Sequence, residues 1–262
     1  MPGTLGVTPQ ALRERLASIG RILATRDDAL ALLALGSLGR ADNRVDAWSD
    51  LDFFVFVNDG AKARYIESLD WLAAAHPLIW SFQNTADGHK ALMSDGIFCE
   101  FAVFELGELS HIPYSPGRFL WRRENVSESL AYPSLPLPRP HNAQWLTYEA
   151  LSNLIVGLLR HARGEKLSAM RLVQVHALDR VLELIETKQP QPNDSTAMRD
   201  PFSVDRRVEL RIPQIAIELP TWAAGYHGTH QSALSLLDML EANAEIPAQV
   251  ADYIRSLAGL AL

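Results

Sequence analysis

The 262-residue chain has a single cysteine, Cys99, so it can form no intramolecular disulfide and no cysteine-rich metal site. It has no apolar run near the roughly 20 residues that a helix needs to cross a bilayer. Met1 to Gln10 shows neither the basic start nor the apolar core of a secretory signal. Positive charge is scarce: 24 Lys and Arg stand against 31 Asp and Glu, a net charge of −7. Nucleic acids and anionic membranes are held by clustered Lys and Arg, so neither is expected as a partner. A reducing cytoplasm is the expected location. Cations, whether metal ions or amine-bearing small molecules, are the expected kind of ligand.

What is present suits a folded protein. A hydrophobic share of 48% over this length is enough for one large domain or two modest ones. Thr8-Pro9 is a helix start, a hydroxyl cap before a proline, and Leu12, Leu16, Ile19 and Leu23 follow at helical spacing. Ala29 to Leu35 reads as a buried strand. Leu51 to Val57, rich in β-branched and aromatic residues, reads as a second. A helix is expected over Ala61 to Ala75 and a strand over Leu78 to Phe82. A hairpin should turn at Ser94-Asp95-Gly96 between His89–Met93 and Ile97–Phe104.

Residues 116–140 contain Pro116, Pro133, Pro136, Pro138 and Pro140 and are expected to form a linker. Beyond it the periodicity turns helical: Leu146 to Ala162, Glu165 to Glu186, and shorter stretches near Val204–Arg211, Pro213–Gly225, Gln231–Glu241 and Pro247–Ala258. The expected class is α+β: a mixed-sheet domain over residues 1–115 with flanking helices, then a helical bundle over residues 141–262.

The chemistry is concentrated between Gly36 and Val57. Gly36, without a Cβ, lets the backbone approach a ligand closely. Ser37 stands where a short helix should begin, and its hydroxyl with the free N–H groups of that turn can hold a phosphate. Asp50 and Asp52 are two apart at a strand start, so both carboxylates project from one face, while Leu51, Phe53, Val55 and Val57 face the other way. Two adjacent carboxylates repel unless a divalent cation sits between them. Mg²⁺ is a hard cation that takes one or two carboxylates together with substrate phosphates and water. Glu100 is the one charge inside the apolar run Ile97 to Phe104, and a carboxylate there needs a metal or a partner. Three acids could hold one or two Mg²⁺ ions. Glu100 could instead act as general base, or could simply pair with an arginine.

The order of strand, Gly36-Ser37-Leu38-Gly39-Arg40, polar loop, Ser49-Asp50-Leu51-Asp52 and apolar strand resembles the nucleotidyltransferase signature of the polymerase β-like superfamily. The helical half, with its Arg163-Gly164-Glu165 joint, and the Glu100 strand are similar to the two-domain lincosamide and aminoglycoside nucleotidyltransferases. The resemblance implies a small mixed sheet, metal-binding aspartates and a Ser37 that grips phosphate. It also implies a nucleoside triphosphate co-substrate such as ATP, and transfer of its nucleoside monophosphate to a small-molecule hydroxyl in a cleft against the bundle. Many members of the superfamily carry Asp where this chain has Glu100.

Arg40 and Ser49 join Gly36 and Ser37 as candidate phosphate contacts. Glu209, Trp222 and Tyr226 are candidate acceptor or nucleotide contacts, although Trp222 and Tyr226 also fit a bundle core and the Arg206–Arg211 charges also fit pairing on a wet face. Nucleotidylylation of a protein, an antitoxin-type role, an inactive binding module and assembly as a homodimer remain open alternatives.

Overall fold

The structure, a computed structural model, describes residues 7–40, 44–135, 141–188, 200 and 202–260. Asp42 at the expected end of the short turn, Pro136, Pro138 and Pro140, and most of the loop from Lys188 to Pro201 lie outside the described residues. The chain divides into two compact units, Met1–Leu137 and Pro138–Leu262.

In the first unit, helix α1 (Pro9–Ala24) starts where its cap places it. Thr8 is extended, and its Oγ1 accepts from the Ala11 N–H at 3.1 Å, satisfying one of the donors a helix start leaves orphaned. Six strands follow: β1 (Ala29–Ala34), β2 (Leu51–Val57), β3 (Leu78–Gln83), β4 (Gly88–Met93), β5 (Phe98–Glu105) and β6 (Arg118–Arg122). They form one sheet in the order β3-β4-β5-β2-β1-β6. The β2–β5 pair is parallel and the other neighbours are antiparallel. A parallel neighbour needs a crossover, and residues 58–97 provide it. That segment holds helices α2 (Lys62–Glu67) and α3 (Asp70–Ala73) and the β3–β4 hairpin.

Alternation along β2 divides two cores. Leu51, Phe53, Val55 and Val57 pack with α1, Tyr65, Trp71 and Leu72 on one face. Phe54 and Phe56 pack with Leu33, Phe104 and Tyr114 on the other. The single helix expected over residues 61–75 is broken at Ser68, which is extended (φ −128°, ψ 119°). The break serves Trp71, whose indole is fully buried and donates to the Tyr65 carbonyl at 3.2 Å. The other difference is β6. Residues 118–122, expected as linker, join the sheet as the neighbour of β1, because Phe119 and Trp121 offer apolar surface to the two faces despite the surrounding prolines.

The second unit is helical. Its helices are α4 (Ala143–Ala162), α5 (Lys166–Arg171), α6 (Leu178–Thr187), α7 (Val208–Arg211), α8 (Leu219–Trp222), α9 (Thr229–Asn243) and α10 (Ala248–Gly259). Asn142 caps α4, its Oδ1 accepting from the Trp145 N–H at 2.8 Å. Between α5 and α6 the helix widens to a π turn over Leu172–Ala177. There Gln174 exchanges two hydrogen bonds with the Gly225 backbone, both 2.8 Å. Leu154, Leu158, Val181, Leu236, Leu240 and Ile254 form its core. Among the described residues, no helix is long and apolar enough to cross a membrane.

Candidate active site

Strand β1 is buried along its whole length, and the chain leaves it through a 3₁₀ turn, Gly36–Leu38. Gly36 has φ +58°, and a Cβ on it would stand 2.4 Å from Asp52 Oδ2. The residue is therefore glycine on two counts: the left-handed backbone and a carboxylate lying against its backbone. The Leu35 N–H donates to the Asp52 carbonyl at 2.8 Å, which ties the turn to the start of β2.

Two arginines fix the turn from outside. Arg44 Nη2 donates to the Gly36 carbonyl at 3.1 Å. From β6, Arg118 donates Nη2 to the Leu38 carbonyl at 3.2 Å and Nε to the Gly39 carbonyl at 3.3 Å. Arg118 gives no local signal in the sequence, since its partners lie 79 and 80 residues away. Inside this clamp the Ser37 hydroxyl is buried with no hydrogen-bond partner in the protein. An orphaned buried hydroxyl costs stability, and a ligand oxygen would satisfy it.

Asp50 is half-buried and leads into β2, and Asp52 is the second residue of that strand. Parallel pairing sets Asp52 opposite Glu100 of β5, and antiparallel pairing sets Lys90 of β4 opposite Glu100. Lys90, Glu100 and Asp52 thus form one row across three strands. Glu100 is nevertheless drawn toward β4: Lys90 Nζ is 3.2 Å from its Oε2, and Asn84 Nδ2 lies 3.5 Å from its Oε1. Among the described residues no group of three or more His, Cys, Asp or Glu side chains is gathered to hold a metal ion. Glu100 thus reaches Lys90 and Asn84 from the same row in which it stands opposite Asp52. The donor set still fits Mg²⁺ through Asp50 and Asp52, since that ion needs only one or two carboxylates beside substrate phosphates and water.

Other candidates are placed differently from expectation. The Ser49 hydroxyl is engaged within its own turn, donating to Asp46 Oδ1 at 3.0 Å and accepting from the Asp46 N–H at 3.0 Å. It shapes the approach to Asp50. Arg40 is exposed, with its guanidinium 5.2 Å from the centre of the Tyr132 ring. Beside it opens a cavity of about 410 Å³, lined by Arg40, Arg118, Trp121, Arg122 and Tyr132 among others. Cys99, one residue before Glu100, is core: burial pushes its thiol up to about 12, with Asp50 and Asp52 adding to the rise.

In the second unit, Trp222 is buried in the core and offers no ligand surface. Tyr226 is about half exposed and lines a cavity of about 460 Å³ with Lys166, Leu167 and Arg171. Glu209 is exposed on α7. Of the arginines around it, Arg206 bonds Asp200 at 3.0 Å, and Arg211 pairs with Glu186 and donates its Nε to the Arg206 carbonyl at 3.1 Å.

A left-handed Gly-Ser turn pressed against the Asp-x-Asp start of an adjacent strand, on a mixed sheet followed by a helical unit, is the α+β arrangement implied by the motif. No protein-family model matches the chain, and no curated protein does. Three solved structures are similar at a distance. An aminoglycoside 6-adenyltransferase from Bacillus subtilis covers 93% of this chain and 90% of its own at 12% identity and a TM-score of 0.32. A nucleotidyltransferase-like protein from Exiguobacterium sibiricum covers 89% of this chain and 74% of its own at 13% identity and a TM-score of 0.34. A CdnC:HORMA-deltaN complex from E. coli MS115-1 covers 97% and 92% at 11% identity and a TM-score of 0.31. With scores this low, the chemistry has to come from this chain's own side chains.

Proposed function

We propose that the chain is a nucleotidyltransferase that moves a nucleoside monophosphate from a nucleoside triphosphate, ATP first among the candidates, onto the hydroxyl of a small molecule. The observation that carries this reading is the Ser37 hydroxyl, buried without a partner in a turn whose Gly36 backbone lies against Asp52. Ser37 donates its hydroxyl to a phosphate oxygen. Asp50 and Asp52 are the residues that would hold Mg²⁺. When bound, that ion supplies charge stabilisation on the phosphates. Glu100, oriented by Lys90 and Asn84, takes the proton of the acceptor hydroxyl. The acceptor oxygen bonds to the α-phosphorus as the bond to pyrophosphate breaks.

The acceptor class follows from the motif resemblance and the acidic balance: a hydroxylated, amine-bearing compound of the lincosamide or aminoglycoside kind. The test is a pyrophosphate-release assay with Mg²⁺, each of the four common ribonucleoside triphosphates and a panel of such compounds. Acceptor-dependent release with at least one pair is expected. Asp50→Ala or Asp52→Ala should lower it by about a thousandfold or more while the protein stays folded. Release at the wild-type rate in either variant would refute the assignment.

A further inference from the structure

Residues 44–50 tie the two halves of the candidate site together. At one end Arg44 Nη2 donates to the Gly36 carbonyl at 3.1 Å, which fastens the segment to the turn that carries Ser37. Val45 packs against the core of the first unit. At the other end Asp50 leads into β2. Between these anchors Asp46 to Ser49 close on themselves. Asp46 Oδ1 accepts from the Trp48 N–H at 2.9 Å and from the Ser49 hydroxyl at 3.0 Å, and that hydroxyl accepts from the Asp46 N–H at 3.0 Å. The braced turn presents one large side chain. Trp48 is 78% exposed, whereas no other Trp, Tyr or Phe among the described residues exceeds 49%.

We infer that Trp48 is the platform on which the base of the nucleoside triphosphate stacks, and that it makes triphosphate binding tolerant of base identity. The inference rests on the proposed nucleotidyl transfer. Three points choose the base over the acceptor as the occupant. The first is placement. Four residues before Trp48 the chain is pinned to the Ser37 turn, and two residues after it stands Asp50. A triphosphate held at Ser37 and Asp50 has its nucleoside within reach of an indole between them. The second is topology. The chain comes to Trp48 from β1, whereas Glu100, which takes the acceptor's proton, lies on β5, and β1 and β5 flank β2 on opposite sides. The third is chemistry. An indole carries one N–H donor, no acceptor and no charge, so it offers a flat face rather than a pattern of hydrogen bonds. Every base has a π-face, and stacking on an aromatic side chain is therefore tolerant of which base is bound.

Calorimetric titration of the full chain with Mg²⁺ and no acceptor tests it. The ligands are ATP, GTP, CTP, UTP and inorganic tripolyphosphate, which has the phosphates and no base. The wild type should bind each nucleotide more tightly than tripolyphosphate, with the four affinities within about tenfold of one another. Trp48→Ala should weaken all four by about tenfold, leave tripolyphosphate affinity unchanged and keep the wild-type far-UV circular dichroism spectrum. Trp48→Phe should retain most of the nucleotide affinity. Equal weakening of tripolyphosphate in Trp48→Ala would mean that the residue only braces the loop, and would overturn the inference. So would unchanged nucleotide affinity in that variant, including the case where the KM for the acceptor rises instead; the transferase reading survives both results. A wild type that binds neither ATP nor tripolyphosphate overturns both.

Discussion

At the residue scale the site depends on one backbone position. Gly36 combines a positive φ with an approach to Asp52 that leaves no room for a methyl group. A left-handed non-glycine residue costs on the order of 1–3 kcal/mol, and the clash adds to it by displacing the Asp52 carboxylate. Gly36→Ala should therefore lower the melting temperature and, separately, remove most of the activity. The two losses can be distinguished by assaying well below the new melting point. If activity there equals that of the wild type, the contact between the turn and Asp52 is not needed for the chemistry. Ser37, the orphaned hydroxyl inside the same turn, behaves oppositely in stability: Ser37→Ala removes an unsatisfied group, so it should not destabilise while it weakens triphosphate binding.

At the element scale the Gly36–Gly39 turn is held from β6, a strand that contributes no group to the row of Asp52, Glu100 and Lys90. Arg118 binds the Leu38 and Gly39 carbonyls from there. Loss of that clamp leaves the carboxylates in place but frees the turn around Ser37, and small misplacements in a positioned site cost about ten- to a hundredfold. Arg118→Ala should raise KM for the triphosphate by about tenfold, with kcat less affected. A fall in kcat at unchanged KM would contradict a role in holding the turn. This element also marks the limit of the sequence. The caps of α1, the β1 and β2 runs, the Ser94–Gly96 turn and the Gly-Ser and Asp-x-Asp spacing are local signals, and each was legible. The clamp, the Lys90–Glu100 pair and the membership of β6 depend on strands far apart in the chain, and alternation within one segment carries no information about its neighbour. Proline composition around residues 118–122 further masked a strand held by Phe119 and Trp121. Ser49 shows the converse, a residue with the motif's position whose hydroxyl the local Asp46 turn had already engaged.

At the scale of the whole molecule, histidine burial in both units sets a common pH response. His89 in the first unit, and His161 and His230 in the second, all have pKa values lowered from the ordinary histidine range, in each case chiefly by burial. Lys166 lowers the latter two further, and the His161 and His230 rings lie 4.0 Å apart. A histidine whose folded pKa is depressed binds fewer protons folded than unfolded as pH drops through about 6.5, so stability is present above that pH and lost below it. Asp70 is lowered from 3.8, chiefly by its hydrogen bond from Arg26, and so titrates below this window; Asp179 is raised chiefly by burial and acts in the opposite sense, favouring the fold as pH falls. Between pH 7.5 and 5.5 the melting temperature should therefore fall, by roughly 2–5 °C. His161→Gln should flatten that slope, because it removes one depressed group and relieves the charge facing His230. Calorimetric melts at half-unit pH steps measure both. A melting temperature that holds or rises toward pH 5.5 would mean that these rings gain protons freely in the folded state, and that the His161–His230 contact opens to water before it costs the fold anything.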